Sequence, residues 1–462
     1  MPTDPTAEGT AGSHSIDAGL LTPVSVGYDA VVSDAAIGGA LIAAEVALVR
    51  AWAASGTAPT AAAASVSEAL GWRGAGRPCA LSDVPLAQLT ADAVAGGNPV
   101  IPLVAVLRDR VPESARTWVH RGATSQDIMD SALMLTAKRA ATEVLAHLDE
   151  VRAALSDFAE AHRADVVAAR TLTQQAVPTT VGLRASNWMR GIDRAADRLR
   201  AAADLPAQLA GAGGTLASFV EIGGADVAVG LPTRFAEELG LREPDGPWHT
   251  ERWPVTEFGD ALVQVIDALG KLAADVTTLS RTEIGELSEG TGGGSSAMPQ
   301  KQNPARSVLI RSAAIRAPHL GATLHTASAL AVDERPDGAW HAEWPALRDL
   351  LRAALGASAQ GRTVAAGLRA DGEAGARNLG LTRGLILAER LNLVLTPIIG
   401  AARVKDIVAR AGRGEALRVI LAGDPDLAAA GIDVDELLDP AHYTGLASRL
   451  VESARRDAGA DA

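Results

Sequence analysis

The chain has 462 residues, room for about three domains of ordinary size, and carries 42 basic against 55 acidic residues for a formal charge of -13. That balance excludes a general nucleic-acid surface, which needs clustered lysine and arginine, and the longest uncharged run, residues 51–67, falls short of the roughly twenty residues of a spanning helix. The one cysteine, Cys79, cannot form an internal disulfide and fits a soluble protein in a reducing, cytoplasmic setting.

Residues 1–15, MPTDPTAEGTAGSHS, carry two acids, two prolines and no apolar core, which predicts a disordered tail over 1–18 rather than a leader. Ile37, Leu41, Ala44, Leu48 and Trp52 predict an amphipathic helix over 34–54, followed by shorter helices to about residue 110. Ala141, Val144, Leu148, Val151, Leu155 and Phe158 step by threes and fours, as one buried stripe of a long helix does. Trp188, Ile192, Ala195 and Leu199 predict a second long helix, and Leu262, Val265, Leu269, Leu272, Val276 and Leu279 a third. Residues 306–332 predict a fourth, with Pro318 as a kink. Alanine and leucine dominate and aromatic residues are only 3%, so the fold class is all-α, with the long helices in a bundle. Ala-Gly-rich text at 356–377 marks a shift to a shorter helical tail. The expected organisation is a tail (1–18), an N-terminal helical domain (19–115), a central bundle (116–365) and a C-terminal helical domain (366–462).

Three polar, glycine-marked segments break this pattern. In WVHRGATSQDIMD (118–130), Thr124 or Ser125 reads as a helix N-cap and Asp127 as a favourable first-turn charge, but capping explains neither His120 nor Gln126. In ARTLTQQAVPTTVG (169–182), Arg170, Thr171, Thr173, Gln174 and Gln175 read either as a solvated turn or as groups that orient a polar ligand; nearby, Gln208 and Thr215 sit in glycine-rich text. In GTGGGSSAMPQKQNP (290–304), the P-loop spacing fails, because Lys301 stands between two glutamines and the text before the glycines has no strand-like run. Ser295 needs help to act as a base, and glycine-freed N–H groups supply it, while Lys301 and Asn303 suit a carboxylate or an enolate-like intermediate.

GSSAMPQKQNP resembles the signature of the fumarase/aspartase superfamily. With WVHRGATSQD, ARTLTQQAVPTT, LSRTEIGE and DERPDGAWHAEW, the chain most resembles its 3-carboxy-cis,cis-muconate cycloisomerase branch, along nearly its whole length. The resemblance implies three helical domains, a homotetramer built around a twenty-helix bundle, and active sites each shared by three subunits. It also implies cofactor-free, metal-free chemistry on a small dicarboxylate: a base takes a proton beside a carboxylate, an aci-carboxylate forms, and a β substituent leaves, usually to give fumarate. By position, Ser295 resembles the base and Lys301 and Asn303 the stabilisers of the intermediate. Thr124, Ser125, Thr171 and Gln208 resemble substrate-binding groups, and His120 and Arg335 binding or orienting groups; Arg170 and Gln174, from the polar density of their own segment, are expected to bind substrate as well. Asp333 and Glu334 read as partners of Arg335, and His249 and His341 stay open between lining the site and packing beside tryptophan.

Many lyases of the superfamily place a histidine after the Arg-Thr pair; this chain has Leu172, a departure expected of the cycloisomerase branch, which also lacks that histidine. Gln175, Gln300 and Gln302 stand where close cycloisomerases tend to have two histidines and an arginine. Each unbalanced buried charge is costly, so fewer cations suit a dicarboxylate better than a tricarboxylate. Nitrosuccinate lyase, which forms fumarate and nitrous acid in that branch, fits such a site; carboxymuconate cycloisomerisation and a recruited structural role are the other readings.

Overall fold

The structure, a computed structural model, describes residues 18–80, 84–290, 293, 298 and 301–460. The expectation for the tail, except residue 18, and those for Ser295 and Gln300 lie outside the described residues.

α-Helices dominate the described residues, as expected of an all-α chain. The long ones are Ser125–Ala161, Val181–Ala202, Trp253–Leu279, Ala305–Ala329 and Gly338–Gly367. Every apolar position named above for the first three is buried, which is what fixes those helices: a stripe removed from water is worth about 25 cal/mol per Å². The fourth continues through Pro318.

The chain divides into two compact units: residues up to 145 with 198–264 and 315–357, and residues 146–197 with 265–314 and 358 onward. In the first, the helix Asp34–Ala54 is the central element. Ser33 caps it, its hydroxyl accepting from Ala36 N at 3.2 Å, and it packs against Thr60–Ala69 and Ala225–Leu239. By length and composition it could cross a membrane, but 72% of its most apolar window is buried, and Glu45 sits in the middle of it. Gly39 lets the backbone of Cys79 approach closely, since a Cβ there would lie 2.5 Å from the Cys79 carbonyl oxygen. The Cys79 thiol is buried, and that burial, only partly opposed by Arg73, pushes its pKa up to about 12.

In the second unit, helices from Ala388 onward close over Leu391, Leu395, Ile407, Leu417, Leu421 and Leu427. The segment around 169–182 forms an antiparallel hairpin, Val166–Thr171 against Gln174–Thr180. Its β-branched residues, Val166, Val167, Thr171, Val177, Thr179 and Thr180, give the physical reason. A second short pairing joins Leu287–Ser288 to Arg369–Ala370.

Candidate active site

In the first unit, the 118–130 segment turns sharply before its helix. His120 has φ of 60° and Gly122 of 87°, and a Cβ on Gly122 would meet the Phe219 ring at 2.9 Å. Trp52 Nε1 donates to the Arg121 carbonyl at 3.0 Å, and Ser218 Oγ to the Gly122 carbonyl at 2.6 Å. Thr124 stands just before the helix, its N–H donating to Asp127 Oδ2 at 2.9 Å, the carboxylate half of a capping box, while Asp127 N–H closes a backbone turn onto the Thr124 carbonyl at 3.1 Å.

Asp127 does more than cap. Its carboxylate also accepts from Ala210 N and Gly211 N, both at 3.0 Å, and lies 2.9 Å from His249 Nε2. One fully buried carboxylate therefore ties three segments together: 124–127, 208–211 and 248–249. Gln126 adds a bond from Nε2 to the His249 carbonyl at 2.8 Å. Gln208 is buried in the same place, its Oε1 accepting from Trp248 N at 3.0 Å and its N–H donating to Ser131 Oγ at 2.9 Å. Gln208 Nε2 is buried with no partner among the described residues, a donor held ready for an acceptor.

Arg335 Nη1 reaches Thr124 Oγ1 at 3.3 Å, and its guanidinium stacks 4.9 Å from the Trp340 ring. It forms no ion pair with Asp333 or Glu334 among the described residues, a correction to their expected partnership. Asp333 has φ of 54°, and this turn sends Arg335 toward Thr124 instead. His120, Thr124, Ser125, Gln208 and Arg335 all belong to this unit. His249 is buried against Asp127, whereas His341 is exposed and shared between the Gly97 and Asp337 carbonyls at 2.8 and 2.9 Å.

In the second unit, Arg170 is bidentate to the buried Glu286, at 2.6 and 3.0 Å. Asn378 Nδ2 donates to the same carboxylate at 2.8 Å and Arg184 lies 3.6 Å away. Gln175 Nε2 donates to the Asn378 carbonyl at 2.9 Å, so that glutamine is spent on this cluster. Burial alone would raise the Glu286 carboxyl, but the bonds from Arg170 and Asn378 and the charges of Arg170 and Arg184 hold it below the usual range. Its native pKa thus lies below the unfolded one, near 4.5. The stabilisation is complete above that value and is lost as pH falls through the native pKa. The melting temperature of wild type minus that of Glu286→Gln is expected to be largest near neutral pH and to shrink on acidification below 4.5; a difference that ignores pH there contradicts this role.

Past Arg170, the hairpin turn consists of Leu172 and Thr173, with φ of 48° and 71°. Asn-Gly is the ordinary sequence for such a turn, and each non-glycine residue here costs on the order of 1–3 kcal/mol. Thr171 and Gln174 are exposed beside it, and Leu172 is 96% exposed. The glycine-rich loop is closed at its base by Gly293 and Asn303, whose N–H and carbonyl groups exchange bonds of 2.9 and 3.0 Å. Lys301 is exposed and bonds through its N–H to the Met298 carbonyl. Glu289 accepts from Arg306 N and Ser307 N at 3.3 and 2.6 Å. It thereby caps the helix that follows the loop and complements that helix's dipole.

Sequence reasoning missed Glu45, His249 as the partner of Asp127, Glu286, Asn378 and Glu289. An acid inside an apolar helix was the available signal for Glu45. The others are joined by long-range pairings that spacing does not encode.

Comparison with known proteins follows the same lines. A family profile described as lyase matches residues 28–318. The chain is 43% identical to nitrosuccinate lyase of Streptomyces davaonensis, over 95% of this chain and 94% of that protein. It is 40% identical to 3-carboxy-cis,cis-muconate cycloisomerase of Pseudomonas aeruginosa, over 89% of each. The crystal structure of 3-carboxy-cis,cis-muconate lactonizing enzyme from Pseudomonas putida superposes with a TM-score of 0.83 at 35% identity, covering 91% of this chain and 94% of that one. The chain is therefore an enzyme of the lyase family within the fumarase/aspartase superfamily.

Proposed function

We propose that this lyase eliminates nitrite from nitrosuccinate to give fumarate. The observation that carries the reading is the 43% identity to nitrosuccinate lyase along 95% of the chain. The chemistry of the hairpin turn supports it, because Leu172 and Thr173 offer no side-chain acid there. A leaving group that departs as a stable anion needs none. In this reading Ser295 takes the proton from the carbon beside one carboxylate, and the electron pair is delocalised into that carboxylate. Lys301 and Asn303 stabilise the extra negative charge, and collapse of the intermediate forms the double bond and breaks the C–N bond. Thr124, Ser125, Thr171, Gln174 and Gln208 supply neutral hydrogen bonds to the carboxylates. Arg335 supplies charge, and Arg170 acts by holding the hairpin through Glu286. The site is completed by three subunits of a homotetramer.

The test is nitrite release from nitrosuccinate by the purified protein. Nitrite and fumarate in equal amounts are expected. No release, with lactone formed from 3-carboxy-cis,cis-muconate instead, establishes the cycloisomerase reading, which the 40% identity to that enzyme favours.

A further inference from the structure

Glu45 has no place in the chemistry so far, yet it is the most anomalous side chain of the first unit. It lies midway along the apolar helix Asp34–Ala54, with its side chain 0% exposed. One oxygen, Oε1, is 2.7 Å from His120 Nδ1, and the other, Oε2, is buried without a partner among the described residues. A buried carboxylate half-satisfied in this way costs stability. An alanine or leucine would pack there without that cost. The group that gains is His120, whose backbone is held left-handed and whose ring is pinned by one nitrogen.

His120 also lines a cavity of about 700 Å³ with Arg108, Arg116, Arg121 and Ser218. Arg121 Nε is buried without a partner among the described residues, while its Nη1 donates to Thr117 Oγ1 and its guanidinium lies over Trp118. Among the described residues, Glu221 is the only acid in the lining. A chain of net charge -13 thus gathers three arginines and a histidine around one hollow, an arrangement matched to an anion.

We propose that Glu45 is a positioning residue that pins His120 through Nδ1 and leaves Nε2 to the cavity, where His120 and the three arginines receive one carboxylate of the substrate. This rests on the reading that the substrate is a dicarboxylate. Burial disfavours the charged imidazole, but the charge and hydrogen bond of Glu45, with Asp127 adding and Arg108 opposing, raise its pKa above 6.5. Arg116, Arg121 and Glu221 are the remaining charges facing the cavity. His120 therefore stays a cation to higher pH than an ordinary histidine, and its grip on a carboxylate is lost as pH rises through the native pKa.

The experiment is calorimetric titration of fumarate into wild type, Glu45→Gln, Glu45→Asp and His120→Gln across neutral pH, with circular dichroism to verify folding. Glu45→Gln keeps the shape and removes the charge. It should weaken fumarate binding by about tenfold near neutral pH and shift the loss of binding to lower pH, with Glu45→Asp recovering part of the shift. In turnover, KM should rise more than kcat falls. Unchanged affinity in a folded Glu45→Gln protein, weakening with no shift along the pH axis, or no fumarate binding by wild type overturns the proposal. If nitrosuccinate yields no nitrite while fumarate binding still follows Glu45, the leaving-group assignment fails and the role of Glu45 stands.

Discussion

Alanine at position 295 is expected to lower kcat by roughly a thousandfold or more, the usual scale for removing a general base, while leaving helicity and assembly unchanged. The carbon acid of a succinate is weak, and a serine hydroxyl is a poor base unless its alkoxide is solvated. In the proposed mechanism that help comes from the glycines around Ser295, from Lys301 six residues on, and from the helix that begins at Ala305. Gly293 and Asn303 tie the base of that loop, and Glu289 ties the first turn of the helix. Neither depends on the serine hydroxyl, so its removal should act on rate alone. A Ser295→Ala protein within tenfold of wild type in kcat would remove Ser295 from the mechanism.

The largest effect on stability is expected from Arg252. Its guanidinium is buried and donates to Asp130 at 2.8 and 3.1 Å and to Glu343 at 2.7 to 3.2 Å, with the Trp248 ring 4.8 Å away. Burial works against the charge, but the two carboxylates hold Arg252 protonated well beyond its ordinary range. Burial also raises the Glu343 carboxyl, Arg252 pulls it back, and Asp130 adds to the rise. Arg252→Met strands two carboxylates in the interior of the first unit, at a cost of about 3–5 kcal/mol. Replacing all three residues by apolar ones of similar volume should cost far less, because no charge is then left unpaired. Urea denaturation midpoints compare the two; a single variant that unfolds with the parent would mean the trio carries no cohesive role.

The helical framework was legible because burial writes a period into the text. The stripe from Ala141 to Phe158 and the one from Leu262 to Leu279 could be read residue by residue, and the helix over 34–54 came out at its observed bounds. The hairpin was not read, because Val166–Thr171 is short and Gln174–Thr180 opens on two glutamines and carries Pro178, so no alternation rises above the noise. The polar segments were found by composition, because their hydroxyls, amides and glycines break the apolar period of the helices around them. What holds them was hidden: Asp127 reaches segments more than eighty residues away, and Glu286 gathers Arg170 and Asn378 from opposite directions in sequence. Such carboxylates look like surface charges until the fold places them inside.

Cys79 has a practical consequence. The chain's one thiol is buried and held protonated at neutral pH, so it should ignore maleimides that react with exposed thiolates. A cysteine introduced at an exposed position such as Leu172 or Gln302 would then be the sole labelling site on the chain, open to a dye or spin label without first engineering the native residue away.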